Sequence, residues 1–483
     1  MYLGQKGYSI PKKSITVEQQ YFIRQELTIK PFVQGSPAAQ TVTFPAYRES
    51  ANKFYVPRYF GEEHFGLAEE SKICPGQTIS LSFAGELRDN QKPVVKAYLD
   101  HVTKYENNNN SVGGGGLLEL PCAYGKTILS LYIISQLSVK TLIIVHKEFL
   151  LNQWIERIQQ FLPSARVGRI QGQIVDIENK DIVIGMLQSL SMKDYHETTF
   201  QCFGLTIIDE VHHISSEVFS CALFKIVTRY MLGLSATMNR KDGTTKVFKM
   251  FLGPVVYKGK RDDEHDVTVR AIEYRANDED FNSITLDFRG NVQYSTMISK
   301  LCAYNHRTEF ILRVLKDMML ENAEQQIMVL AHNKNILKYI HDAIKTREFA
   351  TVGYYVGGMK EAALKDSEQK QIIIATYSMA AEALDIKTLT TLIMATPKTD
   401  IEQAVGRILR EKHSKPIVVD IIDAHDPFQS QWTKRKAFYK KQNYKIITIE
   451  STRYTPDISQ WKPVETSKKK DQSQGKCLIK IKK

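Results

Sequence analysis

The chain has 483 residues, too many for one compact core, and at about 150 residues per domain it predicts roughly three domains. A hydrophobic content of 43% with a charged content of 24% excludes an intrinsically disordered chain. The formal net charge of +12 favours a polyanionic partner, nucleic acid first and an acidic membrane surface second, although a basic balance also serves solubility alone.

The six cysteines include no C-x-x-C pair, which argues against a zinc knuckle and against a disulfide scaffold. The N-terminal stretch "MYLGQKGYSIPKKSIT" has no apolar core of signal-peptide length, and no run reaches the roughly 18 apolar residues that a membrane helix needs. We therefore expect a soluble intracellular protein, in a reducing compartment, with no membrane partner.

Residues 1–85, rich in Tyr, Phe, Pro and Lys, are predicted to form an N-terminal α+β accessory domain. The segment "QTISLSFAG" alternates apolar and polar residues, which favours a strand. The aromatic and basic residues of "YFIRQELTIKP" leave two roles open for this domain. It either grips duplex DNA or caps and stabilises the domain that follows.

Residues 86–260 and 301–450 are each predicted to form a parallel β-sheet flanked by helices. In both, short β-branched runs alternate with amphipathic stretches and become polar at their C-terminal ends, as buried parallel strands do. The predicted strands are "TLIIVH", "DIVIGM" and "GLTIIDE", then "QIMVLAH", "QIIIATY", "TLIMAT" and "KPIVVDIID". The predicted helices include "KEFLLNQWIERIQQFL", "EFILRVLKDMML" and "ILKYIHDAIK".

The remaining segments are predicted to be connections and a tail. The low-complexity stretch "YENNNNSVGGGG" suits a surface loop between a helix and the next strand. Residues 261–300 are highly charged and are expected to be a linker or a small insertion. Residues 451–483 end in a basic tail, which either binds phosphate non-specifically or serves as a solubilising end.

The segment "LLELPCAYGKT" places Gly-Lys-Thr between a predicted strand and a helical stretch, the context that a phosphate-binding loop requires. Backbone N–H groups at the start of the helix would face the β-phosphate of ATP, and Lys126 would reach the β- and γ-phosphates. The Thr127 hydroxyl would bind Mg²⁺, and the Tyr124 side chain is expected to point outward. The predicted ATP-binding residues of this loop are Pro121, Cys122, Ala123, Tyr124, Gly125, Lys126 and Thr127.

In "LTIIDEVHH", a pair of carboxylates follows an apolar run that is predicted to be a strand. Asp209 is expected to hold Mg²⁺ and Glu210 to orient and deprotonate the attacking water, because one charge is committed to the metal and the other stays free as a base. An Asp-Glu pair at a strand end is more often a solvated turn. The phosphate-binding loop upstream favours the catalytic interpretation.

Two later segments complete the predicted site. In "MLGLSATMNRKDG", Ser235 and Thr237 are either a helix N-cap or a relay that couples hydrolysis to a cleft between two domains. In "TDIEQAVGRILR", the spacing i, i+4, i+7 puts Gln403, Arg407 and Arg410 on one helix face. Surface arginines are usually solvated. Here we interpret Arg407 and Arg410 as an arginine finger that reaches the γ-phosphate from the second domain.

A series of segments over about residues 86–412 resembles the motifs of superfamily 2 helicases: "ELRDNQ", "PCAYGKT", "IIVHKEFLLNQW", "IGMLQSL", "IIDEVHH", "VLAHNKNIL", "ATYSMAAEALDI" and "QAVGRILR". The segment "LGLSATMNRKDGTTKVFKMFLGP" is similar to the XPB-like branch. The likeness extends to "YRESANKFYVPRYFGEEHFG" and "SKLCAYNHRTEFI". On these segments the chain resembles the transcription-associated, transcript-release helicases of large cytoplasmic DNA viruses.

The resemblance implies two tandem RecA-like domains after the α+β accessory domain, and ATP hydrolysis stimulated by nucleic acid. Translocation in that family usually runs 3′ to 5′. By the same resemblance Gln91 reads adenine with Arg88 beside it, Asp385 holds the ribose or Gln403, and His212 couples the acidic motif to the late arginines. Nucleic-acid contacts are implied over residues 141–154 and at Gln188, Ser189, Arg240, Asp242 and Thr376.

Several functions remain open at this stage. The first is a DNA helicase or translocase in transcript release or repair, with ATP and Mg²⁺ as cofactors and transcription machinery as a partner. The second keeps the ATPase but acts on RNA or an RNA–DNA hybrid, and the third is an ATP-inactive scaffold that binds nucleic acid. A small-molecule phosphotransferase would have no use for Arg407 on a second sheet. A viral protein of this kind would act in the viral factory of the host cytoplasm or in the virion, and its oligomeric state stays open.

Overall fold

The computed structural model describes residues 1–32, 43–104, 113–121, 124–213, 216–238, 243–259, 266–382, 386–409 and 415–464. They divide into two units, Met1–Asp262 and Asp263–Lys483. No helix in these described ranges is long and apolar enough to cross a lipid bilayer.

The first unit opens with a small mixed sheet in the strand order β5-β6-β2-β1-β7, beside a separate β3-β4 pair. The first helix begins at a capping box, in which the Thr16 and Gln19 side chains each accept a hydrogen bond from the other residue's backbone N–H. The elements are β1 (Tyr2–Gly4), β2 (Gly7–Pro11), α1 (Val17–Glu26), β3 (Thr28–Ile29), β4 (Phe44–Pro45), β5 (Arg48–Glu49), β6 (Lys53–Val56), α2 (Arg58–Phe65) and β7 (Glu70–Ser71).

The predicted strand in "QTISLSFAG" is wrong. Only Thr78 makes a strand-like bridge, to Val139, while the N–H groups of Ile79 and Ala84 donate to the carbonyls of Ser138 and Phe161, at the C-terminal ends of two helices. The alternation that suggested a strand has another cause, since Ile79, Leu81 and Phe83 pack on the core of the following sheet. The segment is therefore a strap, an extended stretch that packs on the core of the following sheet without pairing as a strand.

The rest of the first unit is a twisted sheet in the order β11-β10-β12-β9-β13-β14-β8-β15, in which only the short edge strand β11 runs antiparallel to its neighbour. Helices pack against it, which confirms the predicted α/β class. The elements are α3 (Lys92–Thr103), β8 (Gly115–Glu119), α4 (Lys126–Leu137), β9 (Thr141–Val145), α5 (Glu148–Phe161), β10 (Val167–Gln171), β11 (Ile174–Val175), β12 (Ile182–Met186), α6 (Leu187–Met192), β13 (Leu205–Ile208), α7 (Ser216–Leu223), β14 (Tyr230–Ser235), α8 (Thr245–Leu252) and β15 (Val255–Lys258).

The glycine run at residues 113–116 is buried, and its last two residues begin β8. This differs from the surface loop that the low-complexity stretch predicted, of which residues 105–112 lie outside the described ranges. A side chain at Gly116 would collide with Val256 of β15, and one at Gly115 would lie 2.6 Å from the carbonyl oxygen of Leu252. Glycine is needed here for close packing of strands, not for flexibility.

The accessory region and the parallel sheet share one apolar core, which contains Leu3 and Phe54 from the former and Leu117 and Phe248 from the latter. The Tyr59 hydroxyl of α2 also bonds the backbone of Gly115. These contacts are those of a cap that stabilises the sheet, one of the two roles left open from the sequence.

The second unit has a sheet in the order β18-β19-β17-β20-β21-β16-β22-β23, parallel except for β23. It confirms the second predicted α/β block. The elements are β16 (Thr268–Tyr274), α9 (Glu279–Asn282), α10 (Tyr294–Ala303), α11 (Asn305–Glu321), β17 (Gln326–Ala331), α12 (Lys334–Arg347), β18 (Val352–Tyr355), α13 (Glu361–Glu368), β19 (Ile372–Thr376), α14 (Tyr377–Glu382), β20 (Leu389–Met394), α15 (Glu402–Arg407), β21 (Ile417–Asp423), α16 (Asp426–Lys441), β22 (Lys445–Glu450) and β23 (Lys462–Pro463).

The segment expected to be a linker supplies part of this sheet. β16 lies between β21 and β22 and pairs with both, so residues 268–274 are interior to the sheet. The charged runs on either side of β16 hid its apolar pattern. The expected tail also begins later than residue 451, because β23 extends the sheet and Trp461 is buried beside it. Residues 465–483 lie outside the described ranges.

A wholly buried arginine links a helix to the second sheet. Arg307 of α11 donates two hydrogen bonds to the Asp423 carboxylate, at 2.6 and 2.8 Å, and a third to the Ala395 carbonyl at 2.7 Å. A buried ion pair is tolerated only when its hydrogen bonds are satisfied in this way. The contact ties α11 to the C-terminal ends of β20 and β21.

Candidate active site

The Gly-Lys-Thr loop joins the end of β8 to the start of α4, as its sequence predicted. Gly125 has φ at 91°, in the left-handed region that favours glycine. A side chain there would collide with the Gln91 amide nitrogen and lie 3.1 Å from Arg88 Nη2. Pro121 and Thr127 flank the turn and are half-buried, while Cys122 and Ala123 lie outside the described ranges.

The prediction that Tyr124 points outward is wrong. Its side chain is buried among apolar residues of the sheet, and its hydroxyl donates to the Asn90 carbonyl at 2.9 Å. A phenol can be buried when its hydroxyl finds such a partner. The Tyr124 backbone carbonyl accepts hydrogen bonds from Arg88 Nη2 at 2.7 Å and Gln91 Nε2 at 2.9 Å.

The leading motif therefore holds the phosphate-binding loop directly. Gln91 is almost fully buried, and its amide oxygen accepts from the Arg88 backbone N–H at 3.0 Å while its amide nitrogen donates to Tyr124. Both ends of the amide are thus engaged within the protein. What Gln91 does in this structure is to fix the shape of the loop.

Lys126, at the first position of α4, forms an ion pair of 2.8 Å with Glu210 Oε1. Both side chains are largely shielded, with 12% and 22% of their surfaces exposed. Glu210 has φ at 49°, a backbone conformation that a non-glycine residue adopts only when its surroundings hold it there. The loop lysine and the second acidic residue thus meet, although they are far apart in the sequence.

Asp209, which precedes Glu210 in the chain, is buried. One carboxylate oxygen accepts from Trp154 Nε1 at 3.0 Å and the other from the Glu210 backbone N–H at 2.9 Å. Burial, and then the neighbouring Glu210 charge, raise the pKa of Asp209 to about 6. A buried carboxylate whose charge is disfavoured in this way suits a site that a cation completes.

Trp154 was not singled out as a partner of Asp209 from the sequence. It lies on α5 and is 1% exposed, so its indole N–H must find an acceptor within the fold. The run "NQW" gives no sign of which acceptor, because the two residues meet only after β9 and β13 pair side by side.

His212, Ser235 and Thr237 come together beyond Glu210. Ser235 Oγ lies 2.8 Å from His212 Nδ1, and that nitrogen is 3.4 Å from Glu210 Oε2. The Thr237 backbone N–H donates to Ser235 Oγ at 3.3 Å, and the serine hydroxyl also contacts the Thr237 carbonyl. The contacts form a path from the acidic pair to the C-terminal end of β14.

Among the described residues, no three His, Cys, Asp or Glu side chains cluster closely enough to hold a metal by themselves. Mg²⁺ bound with ATP takes most of its ligands from phosphate and water and one or two from the protein. Thr127 and Asp209 have the oxygen donors for such a role, and the buried Asp209 charge fits a cation.

The predicted nucleic-acid residues lie on both units. On α6, Gln188 is exposed, while the Ser189 hydroxyl accepts from the Gly172 backbone N–H at 3.0 Å. In the second unit, Thr376 ends β19, and its hydroxyl lies 3.2 Å from that of Ser378. Arg240 and Asp242 lie outside the described ranges.

The helix that carries the predicted face in the second unit is short. Helix α15 ends at Arg407, where the Ile408 N–H bonds the Val405 carbonyl in a tighter turn. Ile408 and Leu409 are buried, and Arg410, the last residue predicted for this face, lies outside the described ranges. The Arg407 side chain is 9% exposed and donates from Nε to the Ala380 carbonyl at 2.7 Å.

Gln403 is half-buried one helical turn before Arg407. The other two predicted residues of this half of the site, Asp385 and Arg410, lie outside the described ranges.

Proteins similar to this chain come from large DNA viruses. The proposed ATP-dependent RNA helicase L396 of Acanthamoeba polyphaga mimivirus is 34% identical over 455 residues, which cover 91% of this chain and 85% of that protein. The proposed ATP-dependent RNA helicase QP509L of African swine fever virus is 29% identical over 406 residues, which cover 78% of this chain and 79% of that protein.

Residues 84–240 match the family described as "Type III restriction enzyme, res subunit". The crystal structure of T4 UvsW matches 90% of this chain and 96% of that chain at 17% identity, with a TM-score of 0.34. This score is too low to support a fold assignment, which rests on the two strand orders.

Proposed function

This chain belongs to the superfamily 2 helicases of large DNA viruses and is an ATP-hydrolysing helicase, and from that premise we propose that it tracks along one DNA strand from 3′ to 5′. Its task is strand separation or remodelling in transcript release or repair. The observation that carries the ATP-driven part of the proposal is the path of contacts from Lys126 through Glu210 and His212 to Ser235. This path links the expected phosphate site to the end of β14. The choice of DNA and of the 3′ to 5′ direction rests on the resemblance to the XPB-like branch.

ATP binding changes the first contact on this path. The phosphates draw Lys126 from Glu210, because a charge-assisted bond to phosphate replaces the ion pair. Glu210 is then available to orient a water molecule and accept its proton. Thr127 and Asp209 would hold Mg²⁺, which when bound neutralises charge on the phosphates.

Each unit carries some of the residues that act on the nucleotide in this proposal. Arg88 and Gln91, which support the phosphate-binding loop through the Tyr124 carbonyl, are assigned to the adenine. The second unit supplies Arg407 and Arg410 to the γ-phosphate. Asp385 and Gln403 complete that half.

In this proposal, the strand moves because the change at the ATP site is passed on through contacts within the protein. Loss of the γ-phosphate restores the contact between Lys126 and Glu210, and His212 transmits the change to Ser235 and Thr237. The strand itself is held at Gln188, Ser189, Arg240, Asp242 and Thr376. Most of these contacts are to the phosphate backbone, so binding tolerates any sequence and weakens with salt.

RNA, or an RNA–DNA hybrid, is the second candidate substrate. It is favoured by the names of the mimivirus and African swine fever virus relatives, both of which state RNA helicase. The resemblance to the XPB-like branch favours DNA. The residues on the path from Lys126 to Ser235 serve either substrate equally.

Steady-state ATPase rates test the proposal. They are measured without nucleic acid and with single-stranded DNA, duplex DNA, RNA and an RNA–DNA hybrid. We expect single-stranded DNA to stimulate most, and Glu210→Gln to lower kcat by about 10²- to 10⁴-fold because the general base is lost. Lys126→Ala is expected to be inactive as well. Displacement assays on duplexes with a 3′ or a 5′ single-stranded tail report direction.

Equal ATPase rates with all four nucleic acids and with none would contradict a nucleic-acid motor. Stimulation by RNA alone would transfer the assignment to the second candidate. Full activity of Glu210→Gln would remove Glu210 from the chemistry.

A further inference from the structure

A tight hairpin at residues 284–293 presents an aromatic side chain to solvent. Leu286 and Val292 form an antiparallel bridge, and the Asp287 carboxylate accepts from the backbone N–H groups of Arg289 and Asn291, each at 2.8 Å. Two further backbone hydrogen bonds, 2.7 and 3.0 Å long, close the turn. The tip is therefore held by its own hydrogen bonds and needs no packing partner.

Phe288 stands at this tip and is 90% exposed, the largest value among the large hydrophobic side chains that the structure describes. Burying such a ring is worth about 1.5–3 kcal/mol, so a ligand that covers it would gain this free energy without disturbing the turn. The Arg289 guanidinium lies 5.0 Å from the ring centroid. A flat apolar face and a cation are thus presented side by side.

The base of the hairpin is attached to the edge of the second sheet where its parallel strands end. Tyr294, the first residue of α10, donates from its hydroxyl to the carbonyl of Pro397, just after β20. Thr376, at the end of β19, lies at the same edge, because β19, β17 and β20 run parallel as neighbours. Ligands of open parallel sheets bind at this edge.

We propose that Phe288 and Arg289 form a base-stacking site for the nucleic-acid strand on which the enzyme moves. The site takes an unpaired nucleobase on the Phe288 ring, with the Arg289 guanidinium beside it, as single-strand-binding surfaces do. This inference rests on the proposed function, since it adds a contact to the strand held at Thr376.

The charges around the hairpin favour stacking over phosphate binding as the main interaction. The Asp287 carboxylate, which accepts from the Arg289 and Asn291 backbone N–H groups, puts a negative charge at the tip and disfavours a phosphate there. Stacking on Phe288 releases no counterions and so leaves the salt dependence of binding unchanged. Because the proposal gives Arg289 a base and not a phosphate, Arg289→Ala is also expected to leave the slope of log Kd against log salt unchanged.

The test compares Phe288→Ala, Phe288→Trp and Arg289→Ala with Leu320→Ala, a matched change at a residue of α11 that is 76% exposed. Affinity for single-stranded DNA or RNA is measured with 2-aminopurine oligonucleotides, whose fluorescence falls on stacking. We expect Phe288→Ala to weaken binding by about 5- to 100-fold and Phe288→Trp to restore it. Leu320→Ala should match the wild type, and ATPase without nucleic acid should be unchanged in all four variants.

Wild-type affinity and quenching in Phe288→Ala would overturn the stacking site, even when nucleic acid stimulates the wild-type ATPase and the proposed function stands. The same loss of affinity in Leu320→Ala would also overturn it. A wild-type ATPase insensitive to nucleic acid, with binding that still depends on Phe288, would sink the motor proposal and leave the stacking site in place.

Discussion

At the scale of single residues, the ion pair between Lys126 and Glu210 joins the phosphate-binding loop to the acidic pair. Removing one partner from a shielded pair leaves the other charge without compensation, which costs several kcal/mol when the pair is buried. In the proposed cycle that cost is avoided for Lys126, because the phosphates of ATP replace Glu210 as its partner. Glu210 keeps its contact with His212 and takes its proposed role as general base.

Trp154 is expected to position Asp209 for Mg²⁺. Its indole N–H is hydrogen-bonded to one Asp209 oxygen, and groups that orient a metal ligand typically affect metal affinity or activity by about 10- to 100-fold. Trp154→Phe keeps most of the ring and removes the N–H. We predict that the Mg²⁺ concentration for half-maximal ATPase rises by about 10-fold or more, and that direct titration of Mg²⁺ with a fluorescent ATP analogue shows the same shift.

Trp432→Phe is the matched control, because Trp432 is also buried, at 9% exposed, but lies on α16 of the second unit. It should leave the Mg²⁺ dependence unchanged. If Trp154→Phe lowered the melting temperature and left the Mg²⁺ titration as in the wild type, the indole would be a packing residue only.

At the scale of elements, the start of β8 depends on glycine. The Cβ of an alanine at Gly115 would lie 2.6 Å from the Leu252 carbonyl oxygen, which belongs to backbone and cannot rotate away. We predict that Gly115→Ala lowers the free energy of unfolding by about 1–3 kcal/mol, as overpacking of a core does. Urea titration followed by tryptophan fluorescence measures the change. Gly357→Ala is the control, since its nearest atom would be 4.0 Å away, and an equal loss there would refute the steric argument.

The regular elements of both sheets could be predicted because each apolar run contains its own signal. The runs that became β9, β12 and β13, for example, are apolar wherever they are buried on both faces. Three predictions of the fold failed because the residues that decide the structure are distant in the sequence. "QTISLSFAG" alternates like a strand, but it packs as a strap on the core of the following sheet. The charged surroundings of β16 concealed a strand that pairs with the distant β21, and the glycine run is buried by β15.

The candidate site shows the same division. Lys126, Glu210, His212 and Ser235 are brought together as their motifs indicated, because each follows or begins an element at the same edge of the sheet. The Tyr124 orientation and the Trp154 contact depend on which side chains fill the space next to the loop. That information is in the packing and in no local pattern.

At the scale of the whole molecule, the two units carry different halves of the proposed chemistry. The first holds the lysine, the acidic pair and the proposed relay. The second contributes Arg407, whose side chain is buried and bonded to the Ala380 carbonyl within its own unit. In the proposal, the planar guanidinium of Arg407 binds an anion through its nitrogens, which is the role of an arginine finger.

Replacement of Arg407 tests whether hydrolysis requires both units. An arginine finger stabilises charge that develops only in the transition state, so Arg407→Ala should lower kcat by about 10³- to 10⁵-fold. The Kd for ATP and for single-stranded DNA should change little. Arg313→Ala, at an exposed arginine beside Tyr454 in the same unit, controls for loss of one positive charge. Stopped-flow binding and single-turnover hydrolysis separate the two steps, and a kcat within a few-fold of wild type would mean that the first unit hydrolyses ATP without Arg407.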